Sequence, residues 1–295
     1  MSGARCARLD KPASPGWGLR ARRRAVHVAI YGTLVLATLI MLFPIAWMLT
    51  VSVRPNVEVM AIPPQWIPTR FTLEPYTRVL GSARYLRTFL NSYFVSLTVT
   101  AISLVLGSLA AYALARFRFR GQRSVIMFLI ITQMFPLVLL CIPYFRLVVR
   151  LGLYDTLTSL IVVYTTFTLP FCILMLRSYF AQIPKEMEEA AMVDGCSRLG
   201  AIARTLIPLS FPALVGSALY TFLLAWNEFL FAVVLIESWG KRVITVAIYS
   251  LLAEFVTEWS MMMAFSVLAS APLVVAFIFL QRYVVAGMTA GAVKS

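Results

Sequence analysis

Apolar residues in this chain come in six long blocks, separated by shorter stretches that hold most of the charge. The blocks lie at about 27–52, 89–115, 124–148, 157–179, 209–235 and 262–282. Each reaches the ~20 residues that a helix needs to cross the hydrocarbon of a bilayer. The pattern therefore predicts an all-α polytopic membrane protein with six transmembrane helices. The third block, VIMFLIITQMFPLVLLCIP, and the fifth, FPALVGSALYTFLLAWNEFLFAVVL, are the clearest. The second carries Asn91 and several serines and threonines, so it is expected to face protein rather than lipid. Its Gly107 and Ala111, with Ser103 and Ser108 nearby, make a small-x-x-x-small spacing that predicts a close helix contact. Pro136, Pro143, Pro170 and Pro272 fall in or near spans. Each removes a backbone donor and invites a kink that neighbours must repair. Met261 to Met263, at the start of the sixth block, read as flexible apolar filling.

Composition agrees with the pattern. The chain is 61% apolar and 13% charged, where a soluble domain carries about 25% charge. The net charge of +14 gathers at the ends of apolar runs, where anionic headgroups meet it, and this placement argues against a nucleic-acid surface. With six spans, one side receives 17 basic residues and the other 9. Short arginine-rich elements such as RFRFRGQR weigh most, which places both termini in the cytoplasm. The chain divides into a basic N-terminal segment (1–24), a six-helix domain (25–286) and a C-terminal tail (287–295). Arg22 to Arg24 precede an apolar run too long for a signal peptide, with no cleavage pattern after it, so the first helix is expected to stay. The segment 54–87 predicts a short structured cap along the membrane surface, and 237–258, with Glu237, Glu254 and Glu258, another short helix. Cys6, Cys141, Cys172 and Cys196 have no metal-ligand spacing, and His27 stands alone among histidines. No nucleophile is placed beside a base, so an enzyme is the weakest reading.

One polar block interrupts the apolar chain. IPKEMEEAAMVDG predicts a short helix with Pro184 in its first turn, Glu186, Glu188 and Glu189 at the positive end of the dipole, and Gly195 closing it in a left-handed conformation. Met187, Ala190, Ala191 and Asp194 define one side, small enough for another protein to approach closely. From Ser197 a second helix resumes, and Pro208 and Pro212 bracket the turn into the fifth span. A plain charged connecting loop is the alternative.

These residues resemble a known family. EAA at 189–191, Gly195 and Pro208 are similar to the EAA loop of bacterial ABC importer permeases. AAYALARFRFRGQR, QMFPLVLLCIPYF, DGCSRLGAIARTLIPLSFPAL, AWNEFLFAVVL and QRYVVAGMTAGAVKS extend the likeness over roughly 25–295. The closest likeness is to the second membrane subunit of the carbohydrate importers, the maltose permease type, although Thr205 stands where that pattern has an aliphatic residue. The resemblance implies a bacterial inner-membrane permease. A second permease subunit, two copies of a cytoplasmic ATPase, a sugar-binding protein outside and a carbohydrate substrate would be its partners. Glu189, Ala190, Ala191, Asp194, Gly195 and Pro208 would couple to the ATPase, and the C-terminal tail would reach the same interface. No cofactor is expected on this chain. It lacks the G-x-x-x-x-G-K-[ST] loop, so ATP and Mg would be used by the partner ATPase.

The fifth span also holds Asn227 and Glu228 between Trp226 and Phe229. Polar groups inside a span face the bundle or water, and amides, carboxylates and aromatic faces suit a polyol. Asn227, Glu228, Trp226 and, from the third span, Gln133 are candidates for the substrate path or a gate. A structural role for Glu228 and Asn227, bonding a neighbouring helix, stays open beside it. Two rivals to the importer are a self-sufficient secondary transporter of a polar solute and a membrane scaffold without transport.

Overall fold

The computed structural model describes residues 16–63, 66, 68–252 and 258–290, and every regular element among them is helical. Residues 1–15, Glu254 and 291–295 lie outside them, and with them most of the basic N-terminal segment and part of the C-terminal tail. Residues 1–50 and 51–295 form two compact units. The first carries α1 (Gly16–Ser52), one helix of 37 residues. Its Leu36, Ile40 and Met41 are exposed, which suits a helix whose solvent is hydrocarbon. Thr33 and Thr38 turn their hydroxyls back on the carbonyls of Ala29 and Leu34 at 2.9 and 2.8 Å, and so offer lipid no free polar group.

In the second unit the 54–87 segment is the structured cap that its prolines and aromatics predict. It contains α2 (Asn56–Val59) and α3 (Glu74–Gly81). The buried Arg54 side chain donates to the Trp66 carbonyl at 2.6 Å. α4 (Ala83–Arg116) follows as an unbroken span. The third apolar block is not one straight helix. α5 (Gln122–Met134) and α6 (Cys141–Arg150), the latter entered through a tight turn at Leu137–Leu140, meet at 96°. Pro136 causes the break: it forces Phe135 into extended backbone (ψ 130°) and brings no N–H of its own. α7 (Leu157–Phe180) is straight enough to span although Pro170 lies inside it.

Past α8 (Glu186–Val193), a helical run starts at α9 (Arg198–Ala201), passes a π-helical stretch at Ile202–Leu206 and ends in α10 (Ile207–Leu209). At Ser210 the chain bends by 80° into α11 (Phe211–Asn227), between the two prolines that the sequence marks. The fifth block is therefore also interrupted. α11 stops at Asn227, and α12 (Leu230–Leu235) begins only after a break at Glu228 and Phe229. α13 (Ile244–Ser250) is the short helix expected in 237–258. α14 (Trp259–Ala290) starts slightly before the predicted sixth span and buries Met261 and Met262. Among the described residues four helices are long and apolar enough to cross a membrane, and counting each bent pair as one span makes six.

Between lipid-bathed helices there is no hydrophobic gain from association, so contact relies on close packing and hydrogen bonds. α4 supplies both on one face. Ser92, Ser96, Thr100, Ser103, Gly107 and Ala111 recur three or four residues apart, and all are buried. Ser103 shares a 2.9 Å hydrogen bond with Thr168 of α7. At Gly107 the Cys172 side chain of α7 packs so near that a Cβ would stand 2.8 Å from its sulfur. Polar residues of the second block thus face protein, as their placement predicts. Higher on the same helix Asn91 donates to the carbonyls of Gly240 and Arg242 at 3.1 and 2.9 Å, and Ser92 accepts from the Ile244 N–H at 2.8 Å.

The 236–242 loop is held from a second direction by Asp155. Its carboxylate accepts from the Glu237 and Ser238 N–H groups at 3.0 and 2.9 Å, the Ser238 hydroxyl at 2.5 Å and the Lys241 ammonium at 3.0 Å. Burial by itself pushes the Asp155 carboxyl up. The hydrogen bonds from Ser238, Lys241 and Glu237 outweigh it and hold the group well below the usual carboxylate range. A lowered folded-state pKa stabilises the fold above the unfolded value of about 3.9, and that stability is lost as pH falls from there toward the folded pKa.

Two measurements check this packing. Gly107→Ala should cost about 1–3 kcal/mol through overpacking, seen as a lower melting temperature in detergent, and adding Cys172→Ala should recover most of it. Asp155→Asn should lower the melting temperature at neutral pH by removing an ionised acceptor, and should flatten its decline below about pH 4.

Candidate functional site

The polar block folds as an elbow. α8 starts at Glu186, later than the sequence suggests: Lys185 is its N-cap, and Pro184 precedes the helix instead of sitting in its first turn. Pro184 follows the turn that ends α7, where its missing N–H breaks no helix bond. Glu186, Glu188 and Glu189 do occupy the first turn, at the positive end of the dipole. The C-terminal end closes as expected. Gly195 sits at φ +89°, its N–H bonds the Met192 carbonyl at 3.1 Å, and the Cys196 N–H reaches Ala191 at 3.0 Å. This pair of bonds satisfies carbonyls that the helix leaves open and needs a residue tolerant of left-handed backbone. Ser197 then caps the next helix by accepting from the Gly200 N–H at 3.2 Å.

The elbow has two sides. Glu189, Ala190, Asp194 and Gly195 are exposed and Ala191 half-buried, and Met187 and Val193 beside them are 44% and 87% exposed. Pro208 is exposed at the far end, two residues before the Ser210 bend, and belongs to the hinge rather than to this face. Glu188 points the opposite way. The Arg116 Nε donates to its Oε1 at 2.6 Å and Nη2 stands against the same oxygen, with the two side chains 6% and 7% exposed. This ion pair is absent from the sequence reading. Its signal was the doublet: neighbours on a helix are ~100° apart, so two adjacent glutamates cannot share one face.

The polar pair of the fifth block lies where the helix breaks. Glu228 caps α12, its two oxygens accepting from the Phe231 and Ala232 N–H groups at 2.9 and 3.1 Å. Its own carbonyl accepts from the Thr245 hydroxyl at 2.8 Å. The buried Tyr164 hydroxyl faces the same carboxylate. Asn227 donates to the Leu223 carbonyl at 2.8 Å, and Gln133 to the Phe167 carbonyl at 3.1 Å.

Gln133, Asn227 and Glu228 meet around one cavity of about 660 Å³, with Phe135, Phe167 and Tyr220. Three of the four candidates from the third and fifth spans are thus brought together. Trp226 is not among them. It is 3% exposed and packs on Tyr93 and Phe222 at 4.8 and 5.4 Å between ring centres. One residue before Asn227, it necessarily faces elsewhere, so it supports the helix and is withdrawn from the path. Among the described residues no group of three or more His, Cys, Asp or Glu side chains forms a metal site.

The cap at Glu228 gives an ordered expectation. Glu228→Gln retains one acceptor and loses about 1 kcal/mol; Glu228→Ala loses both bonds. Amide exchange at Phe231 and Ala232 should quicken from wild type to Gln to Ala, and equal rates would remove the capping role.

Residues 103–290 match the family described as "Binding-protein-dependent transport system inner membrane component". An inner membrane ABC transporter permease protein of Escherichia coli, YcjP, is 36% identical over 275 residues, covering 92% of this chain and 98% of that one. The trehalose/maltose transport system permease protein MalG of Thermococcus litoralis is 37% identical over 267 residues, with 88% and 94% covered. The fold is similar to a crystal structure of a bacterial ABC transporter involved in import of the acidic polysaccharide alginate. That likeness has a TM-score of 0.73 at 24% identity, over 93% of this chain and all of that one. Breaks within the third and fifth apolar blocks, an exposed glycine-closed elbow and a match through most of the bundle lead to one assignment: the chain belongs to the family of binding-protein-dependent transport system inner membrane components.

Proposed function

We propose that this chain is one of two membrane subunits of an ATP-driven importer that carries a carbohydrate. The single observation that carries the reading is the elbow. α8 presents Glu189 and Ala190 outward beside exposed Met187 and Val193, closed by a left-handed Gly195. A short helix with small side chains and exposed carboxylates at Glu186, Glu189 and Asp194 suits a cleft on another protein. The partner there is a cytoplasmic ATPase present in two copies, which uses the ATP and Mg. This chain does no chemistry itself and lacks the phosphate-binding loop. The elbow side and both termini are cytoplasmic, following the arginine count, and a sugar-binding protein meets the opposite face.

The substrate class draws on two supports. A relative named for trehalose and maltose transport is 37% identical to this chain over 267 residues. The 660 Å³ cavity adds amides at Gln133 and Asn227 beside the rings of Phe167 and Tyr220, a lining suited to hydroxyls and the apolar faces of a sugar ring. Glu228 lines it too, but its carboxylate is engaged with the α12 N–H groups. Its first role is to hold the wall. The second permease subunit completes the path.

Replacing Gly195 with Val forces a branched side chain into left-handed backbone, at a cost of about 1–2 kcal/mol. Membrane insertion should persist while ATP-dependent sugar uptake falls and the ATPase co-purifies less. Normal uptake at normal expression would remove the docking role. A reporter fused after Ser295 should report cytoplasm, and uptake that survives without any ATPase would overturn the importer reading itself.

A further inference from the structure

The elbow hangs from the bundle by two chain connections, and neither is stiff. On the α7 side lies the non-helical turn 181–185. On the other side lie the Gly195 turn, the π-helical stretch at 202–206 and the 80° bend at Ser210. A push delivered to α8 would be absorbed in these joints unless something else ties it to the spans. The Glu188–Arg116 pair does so. Both of its side chains are buried, whereas those of Arg78–Glu258 and Lys241–Asp155 are partly exposed.

We propose that Glu188 and Arg116 form the joint that makes the elbow and α4 move as one body, so that Glu189 is gripped outside while its neighbour Glu188 grips the bundle. This rests on the docking reading above. Placement supports it from both ends. Glu188 is in the first turn of α8, where the dipole favours an anion, and Arg116 in the last turn of α4, where it favours a cation. The contact is reinforced by Tyr112, one turn back on α4 and beside Glu188, and by Phe117, whose ring meets Tyr112 at 5.9 Å and the Arg198 guanidinium at 5.0 Å. Arg198 opens the helix after the Gly195 turn, so both limbs of the elbow are fastened to the same end of α4.

From that end α4 is an unbroken rod. Asn91 lies 25 residues back from Arg116, about 37 Å along the axis, and there it holds the 240–242 loop by two hydrogen bonds. The same helix runs against α7 through Gly107 and Ser103. A displacement at Glu188 therefore reaches the far end of the bundle without crossing any of the breaks. Arg116 and Glu188 are positioning residues: neither is placed against nucleotide or sugar.

The test separates gripping from transmission, using the whole complex in proteoliposomes with a transported sugar. Glu188→Gln keeps the shape and removes the charge. It should leave ATPase co-purification and hydrolysis near wild type, while sugar moved per ATP falls about tenfold. Arg116→Met should give the same ratio, and combining the two should add little. A Cys pair at 116 and 188, in a chain whose four native cysteines are alanine, should recover coupling when bridged by a short bis-maleimide and not before. An unchanged ratio in Glu188→Gln overturns the joint, as does loss of the ATPase from that variant, since the pair would then only shape the docking face. Failure of the bridge to raise the ratio also overturns it. Glu189→Lys is the control for the underlying reading: if it still binds the ATPase, the docking assignment fails, whereas its loss of the ATPase beside a normal Glu188→Gln leaves docking intact and removes the joint alone.

Discussion

Inside a bilayer the backbone has no water to turn to, so every place where a helix stops must find partners within the protein. This constraint organises the structure. The bundle breaks at Pro136, at Ser210 and at Glu228. At Glu228 the repair is visible atom by atom: one carboxylate takes two N–H groups of α12 while its carbonyl takes the Thr245 hydroxyl. A charged residue within an apolar block is expensive. Here it is retained because it satisfies backbone that hydrocarbon would leave bare.

The same breaks create the cavity. Unbroken helices packed side by side leave little room, because small faces such as that of α4 draw them together. The end of α11 at Asn227 and the corner before Pro136 open a space of about 660 Å³ with Gln133, Asn227 and Glu228 on its wall. Glu228 thus both supports the break and lines the cavity. Trp226, on the other side of the helix from this space, contributes through its stack with Phe222 and Tyr93.

At the other end of the bundle, rigidity and softness are divided differently. α4 is long and straight, while the elbow is a set of short helices joined by a glycine turn and a π-helical stretch. Adjacent glutamates on α8 face opposite ways, one into solvent and one onto Arg116. One eight-residue helix thus carries an exposed face and, about 100° around it, a buried face fastened to α4.

The sequence by itself determined the class of the protein, the six apolar blocks, the elbow with its Gly195 closure, and the packing face of α4. These follow from local rules: block length against membrane thickness, three- and four-residue spacing on a helix, and the left-handed backbone that a glycine allows. Only the tertiary structure decided which blocks stay straight, since a proline permits a break without requiring one; Pro170 sits inside an intact α7 while Pro136 turns the chain by 96°. It also decided the partners of charged groups. Glu188 with Arg116 and Asp155 with Lys241 are 72 and 86 residues apart, and no spacing rule reaches across such distances. The direction of Trp226, buried where its neighbour Asn227 lines a cavity, was settled by the same long-range packing.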